Sequence, residues 1–533
     1  MERSIELISL YYDPALTVPT QLAVKRLLPW SQSFGRCRLV WVATVVESAP
    51  VVRHSEPNFD TSPSPNRWIL AVVALAGAFP TLLGIVTGNG LVLDDLEFAA
   101  AARFEGWSGF ADELRYRPIQ GLVHGIEFSL FGTKSLPHHL LLALLNGLVA
   151  LQLARLAVRW LPDQLAVASI TLWLVVPHRG AVRYWASTNP NHIAMLLLVG
   201  AALRIEPIDK GRDPGASSAS STSNSNLLLV SLLVAASVST YEGGAVIGAI
   251  ILLCAGWQDR TTTRAALGRA AAMGVPSVVA FMWVVFQSPR RGASSFFGGL
   301  DEALPSHLWS LAPGRLSPLV VVSVAGLAGI VLMAMMPSFE TPAQARYIAT
   351  GVGLFASGLL PFVAGGFNLG PSGVLDRGHY FADIGTSLVL GALAVTSFAV
   401  TRRHLPSFSR LVIPLMVATV VGLLSMATVA DSRDYAAAAQ DGDRLREAVL
   451  TIADQTTSSS SGCSTITLAK LPSHHGVAVA RYDQQVDDIV DLTVGSLGAC
   501  PRFDLVWQDR SELHSDTKPT AVLTNAGLTI EPR

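Results

Sequence analysis

The sequence predicts an all-α polytopic membrane protein of about eleven transmembrane helices, with a small extracytoplasmic α/β domain at its C-terminus. Half of the 533 residues are hydrophobic and only 14% are charged, whereas about 25% of the residues of a soluble domain are charged. Long apolar runs recur from residue 68 to residue 430, and the chain then becomes polar with short alternating apolar stretches. The net charge of −1 gives no bulk attraction to nucleic acid, and no basic tract suggests such a partner.

Residues 1–67 are predicted to form a cytoplasmic, poorly ordered tail. They lack the pattern of a cleaved signal peptide, in which a short basic segment is followed by a short apolar segment. The apolar run from Cys37 to Val46 is too short to span a membrane, because a spanning helix needs about 20 residues. The tail ends in a segment rich in Pro and Ser, residues 61–66, and the first span is expected to begin after it.

Residues 68–430 are predicted to form the membrane domain, with a long first outer loop at residues 88–137. Its candidate spans lie near residues 68–87, 138–158, 164–177, 191–204, 227–240, 243–257, 270–286, 318–336, 346–363, 380–400 and 411–430. Within the outer loop, residues 118–132 carry His124 and Glu127 and are short for a span. They therefore predict a helix that lies at the membrane interface.

The placement of Lys and Arg orients these spans, because cytoplasmic loops carry an excess of both residues. With the N-terminus inside, the inner side holds the basic residues of the tail and of four later loops. The outer loops also contain arginines, among them Arg117, Arg183 and Arg377. The orientation rule does not account for these arginines, so they point to an anionic ligand on the outer face.

The same orientation places the unusual polar segments together on the outer face. The inner loops on the opposite side have ordinary sequences. Five segments belong to this set: Leu93–Glu97, Arg115–Pro118, Pro177–Trp185, Ser239–Gly244 and Asp376–Tyr380. This asymmetry indicates that function lies at the outer surface of the membrane.

Residues 431–533 are predicted to form the extracytoplasmic domain. About 100 residues are enough to fold alone. Residues 443–452 have the pattern of an amphipathic helix, and residues 464–469 and 503–507 contain the alternating apolar positions of strands. We therefore expect a small α/β fold.

Two of the four cysteines, Cys463 and Cys500, lie in this C-terminal region. An extracytoplasmic position would permit a disulfide between them, and the sequence leaves both the bridge and two free thiols open. Cys254 falls in a predicted span, and Cys37 has no evident partner. No spacing of Cys and His indicates a zinc site.

Asp94 and Asp95 follow the first predicted span and form the most informative polar pair in the chain. Adjacent carboxylates at the mouth of a span are costly near lipid, so they usually face water or a cavity and often mark chemistry. The structural alternative is a solvated N-cap for a helix that begins at Leu96. Capping and catalysis do not exclude each other. Two carboxylates do not make a metal site, and no third ligand is evident.

The other polar candidates also have structural interpretations. Arg117 could serve as an interfacial anchor. Glu242, between two spans, is either a paired buried charge or a turn residue. His124 and Glu127 are three residues apart on one helical face and could pair with each other. The histidine pair at the head of the second span could simply mark the interface.

Taken in order along the chain, these elements resemble a known family. The residues that carry the resemblance are Asp94-Asp95, Tyr116-Arg117-Pro118, Gly132, His139-Leu140 with Asn146, Glu242 and Arg377-Gly378-His379-Tyr380. Over residues 68–400 the chain resembles the GT-C superfamily of polytopic glycosyltransferases. Within that superfamily it is most similar to the protein O-mannosyltransferase-like group, family 39, and its bacterial relatives.

The resemblance implies a GT-C-like fold and a membrane glycosyltransferase of hexosyl or pentosyl groups. Such enzymes take a sugar from a polyprenyl-phosphate carrier and transfer it, on the outer face, to a glycan, lipid or protein acceptor. We therefore expect a multi-pass protein of a prokaryotic plasma membrane that acts in glycosylation of the cell envelope. The acidic motif is Asp-Asp rather than the Asp-Glu of the mannosyltransferases, which leaves the donor and a requirement for a divalent cation open.

The implied chemistry assigns roles to the candidate residues. Asp94 or Asp95 would be the general base towards the acceptor hydroxyl, because a neighbouring carboxylate raises the pKa of the base by like-charge repulsion. Arginines can hold a departing phosphate bidentately, and other polar side chains would orient donor or acceptor. The substrate-binding candidates are Arg117, Arg183, Glu242, Arg377, His379 and Tyr380.

Two other functions remain as alternatives. A transporter or flippase for a lipid-linked glycan would carry charges deep inside its spans and symmetry-related halves. Here the charges cluster at span ends, and no repeat is evident. A non-catalytic assembly protein of the cell envelope, whose C-terminal domain recruits a partner, would leave Asp94-Asp95 and the outer arginines without a role.

Overall fold

The computed structural model describes most of the chain from Arg67 onwards. The described residues are 67–176, 179–205, 224–257, 263–287, 304–307, 342–364, 373–404, 406–456, 465–469, 473–474, 477–478, 480, 483–495, 502–506, 520–524 and 527–531. Three features predicted above lie outside these ranges: the tail up to residue 66, the span 318–336 and the cysteines Cys37, Cys463 and Cys500.

The described part of the chain is predominantly helical. Its helices before the C-terminal region are α1 (Arg67–Thr87), α2 (Asp94–Ala100), α3 (Trp107–Glu113), α4 (Pro118–Phe131), α5 (Ser135–Trp160), α6 (Asp163–Val175), α7 (Gly180–Tyr184), α8 (Asn189–Arg204), α9 (Asn224–Thr240), α10 (Ala245–Trp257), α11 (Thr263–Gln287), α12 (Pro342–Ala364), α13 (Ala382–His404) and α14 (Pro406–Thr456). A π-helical turn (Ala101–Glu105) and 3-10 segments (Ala186–Thr188, Glu242–Gly244 and Gly373–His379) join some of them. Each predicted span within the described residues overlaps one of these helices.

Several helices have the length and composition of membrane spans. Among the described residues, α1, α5, α11, α12 and α13 are long and apolar enough to cross a membrane, and α6, α9 and α10 are shorter apolar helices. Trp68 and Val86 on α1 and Phe286 on α11 are largely exposed on the surface of the chain. An exposed apolar surface of this extent is suited to lipid rather than water. These features confirm the prediction of a helical membrane protein.

Small residues allow the apolar helices to pack closely. A Cβ atom added at Gly77 of α1 would lie 2.5 Å from Cβ of Ala150 on α5, and one added at Gly147 of α5 would lie 2.9 Å from the Ala74 carbonyl oxygen of α1. Such contacts between backbones are typical of helix pairs in membranes. Further close pairs are α12 with α13, α8 with α9, α6 with α13 and α11 with both α9 and α10.

The C-terminal region combines a helix with a sheet. Its elements are β1 (Thr465–Ala469), α15 (Asp483–Val494), β2 (Arg502–Val506), β3 (Thr520–Thr524) and β4 (Gly527–Glu531). The strand order is β2-β1-β3-β4, in which β1 is parallel to β2 and to β3, and β4 is antiparallel to β3. Helix α15 provides the crossover that parallel strands β1 and β2 require.

One continuous helix connects the membrane helices to the C-terminal region. Helix α14 continues through residue 430, where the sequence placed the domain boundary, and it includes the amphipathic segment 443–452. Helix α15 packs on α2 and α14, and Pro65–Arg533 form one compact unit. The extracytoplasmic position of residues 431–533 stays a prediction.

Candidate functional site

The five polar segments singled out in the sequence meet at one end of the membrane helices. They lie in the connections that follow α1, α6, α9 and α12. The side-chain contacts between these segments are Asp94 with Arg377, Arg117 with Glu242 and Arg377 with Trp185. Residues almost 300 positions apart in the sequence therefore share one site.

The acidic pair opens helix α2. The helix begins at Asp94, and the residue at the N-cap position, Leu93, makes no side-chain capping hydrogen bond. The structural alternative, an N-cap for a helix beginning at Leu96, is not what is observed, because both aspartates already belong to the first turn, where negative charge is favoured by the helix dipole. Leu93 has φ 53°, a strained conformation for a branched side chain. Its buried side chain packs with Trp185 and Tyr435, which holds the turn in place.

Asp95 is a buried carboxylate with structural partners. One of its oxygens accepts hydrogen bonds from the Ser187 amide, at 2.7 Å, and from the Ser187 hydroxyl. The other accepts one from the Val92 amide at 3.2 Å. Burial raises the pKa of Asp95 to about 7, although the hydrogen bonds from Ser187 and Val92 act in the opposite direction. Asp95 thus fastens the start of α2 to the segment that precedes α8.

Asp94 is the accessible member of the pair. Its side chain is 34% exposed, and one carboxylate oxygen lies 3.9 Å from Nη1 of Arg377, whose side chain is 38% exposed. The Arg377 guanidinium also lies over the ring of Trp185, 4.9 Å from the ring centroid, an arrangement that a cation and an indole favour. The second oxygen of Asp94 accepts a hydrogen bond of 3.0 Å from Nε2 of Gln485.

Arg377 is positioned by its neighbour in the chain. The side chain of Asp376 is buried and accepts a hydrogen bond of 3.2 Å from the backbone amide of Ala181 in α7. Burial raises the pKa of Asp376 well above its ordinary value, and the nearby Asp431 carboxylate acts in the same direction. This anchor ties the segment Gly373–His379 to α7 and so brings Arg377 to Trp185, the residue after that helix.

Arg117 and Glu242 form a bidentate ion pair. The Arg117 Nε donates to Glu242 Oε2 at 2.6 Å, and its Nη2 donates to Oε1. Both side chains are nearly buried, and the guanidinium lies over the rings of Tyr116 and Tyr241. Burial by itself would lower the pKa of Arg117, but the Glu242 carboxylate together with Tyr116 and Tyr241 acts in the opposite direction, and the pKa is raised. Of the two interpretations of Glu242, the paired buried charge is the one observed.

Tyr241 links this ion pair to Arg377. Burial raises the pKa of Tyr241, and the guanidinium groups of Arg377 and Arg117 act against that rise. Both arginines are thus close enough to the tyrosine hydroxyl to influence its charge. Arg117, Glu242 and Arg377, which the sequence identified separately, belong to one neighbourhood.

Three other candidates are buried beside the site. Arg183 donates to the Thr428 hydroxyl and to the Leu174 carbonyl. His379 contacts the ring nitrogen of His307 at 3.1 Å, and the Tyr380 hydroxyl lies 2.7 Å from Nδ1 of His192. In this conformation their polar atoms contact other parts of the protein, and a role in substrate binding for them stays a prediction.

Helix α4 packs on α2 and contributes to a buried polar cluster beside it. Glu127 accepts hydrogen bonds from Nδ1 of His138, at 2.7 Å, and from the Asn189 amide, at 2.6 Å. His124 Nδ1 is 3.9 Å from Glu127, and the His124 ring stacks on Phe98 of α2. Glu127 therefore pairs more closely with His138 than with His124, its expected partner.

Three residues that contact the acidic pair or Arg377 were not among the predicted site residues. Trp185 lies in one of the polar segments that the sequence singled out. An aromatic residue close to clustered arginines could have identified it as a site residue. Ser187 and Gln485 carry no such signal, because their importance comes from contacts with residues far away in the chain.

Two observations concern where the protein could bind a metal ion or another ligand. Within the described ranges, no group of three or more His, Cys, Asp or Glu side chains could hold a metal ion. A cavity of about 330 Å³ opens where α1 ends, α5 begins and α14 passes. It is lined by Asn89, Ser135, His139 and Arg446 among others, and neither Asp94 nor Arg377 contributes to it. The cavity is therefore separate from the accessible carboxylate.

Comparisons with known proteins give one structural likeness. No protein family model matches the chain, and no curated protein matches it. Among solved structures, the crystal structure of the Archaeoglobus fulgidus oligosaccharyltransferase, tethered with an acceptor peptide containing the NVT sequon via a disulfide bond, aligns with a TM-score of 0.38 and 12% sequence identity. The alignment covers 81% of this chain and 63% of that chain, so this chain spans less than two thirds of its length. At this level of likeness, activity has to be derived from the residues of the site itself.

Proposed function

We propose that the protein is a membrane glycosyltransferase of the GT-C type. It moves a hexosyl or pentosyl group from a polyprenyl-phosphate donor to a hydroxyl of a glycan, lipid or protein acceptor, at the outer face of a prokaryotic plasma membrane. One observation carries the proposal: the accessible carboxylate of Asp94 lies 3.9 Å from the accessible guanidinium of Arg377, where the polar segments of the membrane domain meet. A base and a phosphate-binding cation are thereby available side by side.

The chemistry of glycosyl transfer matches this pair. The acceptor oxygen attacks the anomeric carbon, its proton passes to Asp94, and the bond between that carbon and the phosphate oxygen breaks with its electron pair leaving on the phosphate. Positive charge develops on the sugar ring in the transition state. Arg377 stabilises the negative charge on the departing phosphate, because its planar guanidinium can donate two parallel hydrogen bonds.

Asp94 is assigned as the base rather than Asp95. The oxygens of Asp95 already accept hydrogen bonds from Val92 and Ser187, and its side chain is fully buried. An acceptor hydroxyl must come within about 3 Å of the base, which the exposed part of Asp94 permits.

Arg117 and Glu242 are assigned a structural role at the edge of the site. Arg117 is engaged by Glu242 and also donates to the Gln120 side chain at 3.1 Å, so it has fewer donors for a phosphate than Arg377. The Arg117 guanidinium of this ion pair instead lies over the ring of Tyr241 and holds it in place. This assignment makes Arg117 and Glu242 positioning residues for the donor side of the reaction.

Transfer of labelled sugar in membranes containing the full chain tests the proposal. Polyprenyl-phosphate-linked hexoses and pentoses serve as donors, and Asp94→Asn is compared with wild type at matched expression, with and without a chelator of divalent cations. Asp443→Asn is the control, because Asp443 is an exposed acid on α14, 77% accessible and paired with Arg446. We expect Asp94→Asn to lower transfer by about 10²- to 10⁴-fold, as loss of a general base does, and Asp443→Asn to behave as wild type.

Two results would contradict the proposal. Wild-type rates in Asp94→Asn would remove Asp94 as the base. Absence of transfer from every donor in wild-type membranes, with the donor pool untouched, would favour transport of a lipid-linked glycan or an assembly role instead.

A further inference from the structure

The C-terminal helix α15 is packed directly against the helix that carries the acidic pair. Its buried apolar side chains, among them Val486, Ile489 and Val490, share one core cluster with Leu96 and Phe98 of α2. Leu445 and Val449 of α14 belong to the same cluster. Burial of such side chains is the main stabilising contribution to packing, so α15 is held on α2.

Polar contacts fix the register of α15 on this region. The Arg103 side chain reaches the Leu492 carbonyl oxygen at 3.5 Å, near the end of α15. At its start, Gln485 is 2% exposed and donates through Nε2 to Oδ1 of Asp94 at 3.0 Å. The neighbouring Gln484 is exposed and donates to Glu97 at 3.5 Å.

The two oxygens of Asp94 are therefore engaged by different parts of the chain. Gln485 of α15 contacts Oδ1, and Arg377 lies 3.9 Å from Oδ2. A buried amide donor restricts the rotation of a carboxylate, and a hydrogen bond to the charged form favours ionisation. Arg377 by itself, at its longer distance, would fix the carboxylate less well.

We infer that α15 completes the active site and that Gln485 is a positioning residue that orients the Asp94 carboxylate and keeps it ionised for its role as base. The inference rests on the proposed function, in which Asp94 accepts the proton. It gives the C-terminal region a part in catalysis without placing any of its residues on the sugar or the phosphate.

The test compares four versions of the full chain in membranes: wild type, Gln485→Leu, Gln485→Asn and the control Gln484→Ala. Leucine keeps the approximate volume of Gln485 and removes the donor, whereas asparagine keeps an amide that is one methylene shorter. Both kcat and KM for transfer are measured against pH, and folding is followed by apparent melting temperature.

We expect Gln485→Leu to lower kcat by about tenfold, the effect of one hydrogen bond to a charged group. The acidic limb of its pH profile should move to higher pH, because a carboxylate that loses a donor is protonated more readily. Gln485→Asn should recover part of both properties, and Gln484→Ala should match wild type. The other titratable and charged groups near α2 and on the elements packed against it include Asp95, Glu97, Arg103, Glu105, His124, Glu127, Arg377, Asp487, Asp488 and Asp491, and all of them are the same in the four versions.

A second measurement does not depend on activity. Asp94→Ala, Gln485→Leu and the double variant form a cycle in apparent melting temperature, and the double variant should lose less than the sum of the two single losses, because the two residues are in contact. An unshifted pH profile and wild-type kcat in Gln485→Leu would overturn the inference, as would equal losses in Gln485→Leu and Gln484→Ala. A wild-type chain without transfer would instead overturn the proposed function, and the stability cycle would still report the contact.

Discussion

Asp94 and Asp95 are adjacent in the chain, but their side chains lie in opposite environments. Asp94 is 34% exposed and approaches Arg377, whereas Asp95 is fully buried and accepts hydrogen bonds from Val92 and Ser187. Consecutive residues of a helix point about 100° apart, so one side chain can face the site while the next faces the core. Asp94 is therefore accessible to a ligand, whereas Asp95 holds the start of α2 in place.

Asp95→Ala should destabilise the protein without removing the base. The substitution leaves the amide of Val92 and both donors of Ser187 buried without their acceptor, at about 1–3 kcal/mol for each unsatisfied group. A lower apparent melting temperature in detergent is the expected result, with Asp443→Ala as the control that changes it little, because the Asp443 side chain is 77% exposed. Equal melting of the two variants would show that Asp95 does not hold the start of α2.

Stability should also depend on pH through Asp95. Its pKa is raised by burial from 3.8 to about 7. Between about pH 4 and pH 7 the folded chain keeps a proton that the unfolded chain has lost, so the free energy of unfolding falls as pH rises. Above about pH 7 Asp95 is ionised in both the folded and the unfolded state. The loss of unfolding free energy caused by its buried charge, on the order of 4 kcal/mol, is then constant.

The measurement is the apparent melting temperature between about pH 5 and pH 8, in wild type and in Asp95→Asn. The amide does not titrate, so the variant should have a flatter curve. Asp488 contributes to the remaining slope, because burial raises its pKa to about 7 as well. A slope identical to that of wild type in Asp95→Asn would contradict the assignment of this titration to Asp95.

Arg377 should be required for efficient use of the donor. Arg377→Ala removes a charged hydrogen-bond donor set, and a loss of about 10- to 100-fold in kcat/KM is expected. Arg377→Lys keeps the charge but loses the planar fork, so its loss should be intermediate. Arg446→Lys, at an arginine paired with exposed Asp443, is the matched control. Equal kcat/KM in Arg377→Ala and wild type would exclude Arg377 from phosphate binding.

Arg117 and Glu242 should behave as one unit. Arg117→Gln or Glu242→Gln leaves a nearly buried charge without its partner, and breaking such pairs costs up to about 3–5 kcal/mol. The double variant should therefore be destabilised by less than the sum of the single variants, by at least about 1 kcal/mol. Apparent melting temperatures of the four chains measure this difference, and simple additivity would show that the ion pair contributes little.

Close packing of α12 on α13 depends on Gly351. A methyl group there would lie 2.7 Å from Cγ2 of Val389 and 2.9 Å from the Gly385 carbonyl oxygen, so Gly351→Ala should cost about 1–3 kcal/mol through overpacking. At Gly353, two residues further along the same helix, an added Cβ would meet no atom of the described residues within 4 Å. Gly353→Ala should therefore be neutral or slightly stabilising. Equal melting of both variants would show that α12 and α13 can move apart at little cost.

The segments that form the site could be recognised in advance, because polar residues at the ends of apolar runs are conspicuous. Leu93–Glu97 and Asp376–Tyr380 were expected on one face, and Asp94 does contact Arg377. Which side chains would be accessible could not be predicted. Arg183 and Arg377 follow similar local patterns, but only Arg377 keeps an exposed guanidinium.

The sequence by itself determined the class of the protein and the residues worth testing. Apolar runs separated by polar segments specify membrane helices, because unpaired backbone groups and charges are excluded from lipid. Only the tertiary structure decided how the acidic pair is divided, that Arg117 is held by Glu242, and that Gln485 reaches Asp94. These outcomes depend on contacts between residues more than 90 positions apart, which local periodicity does not encode.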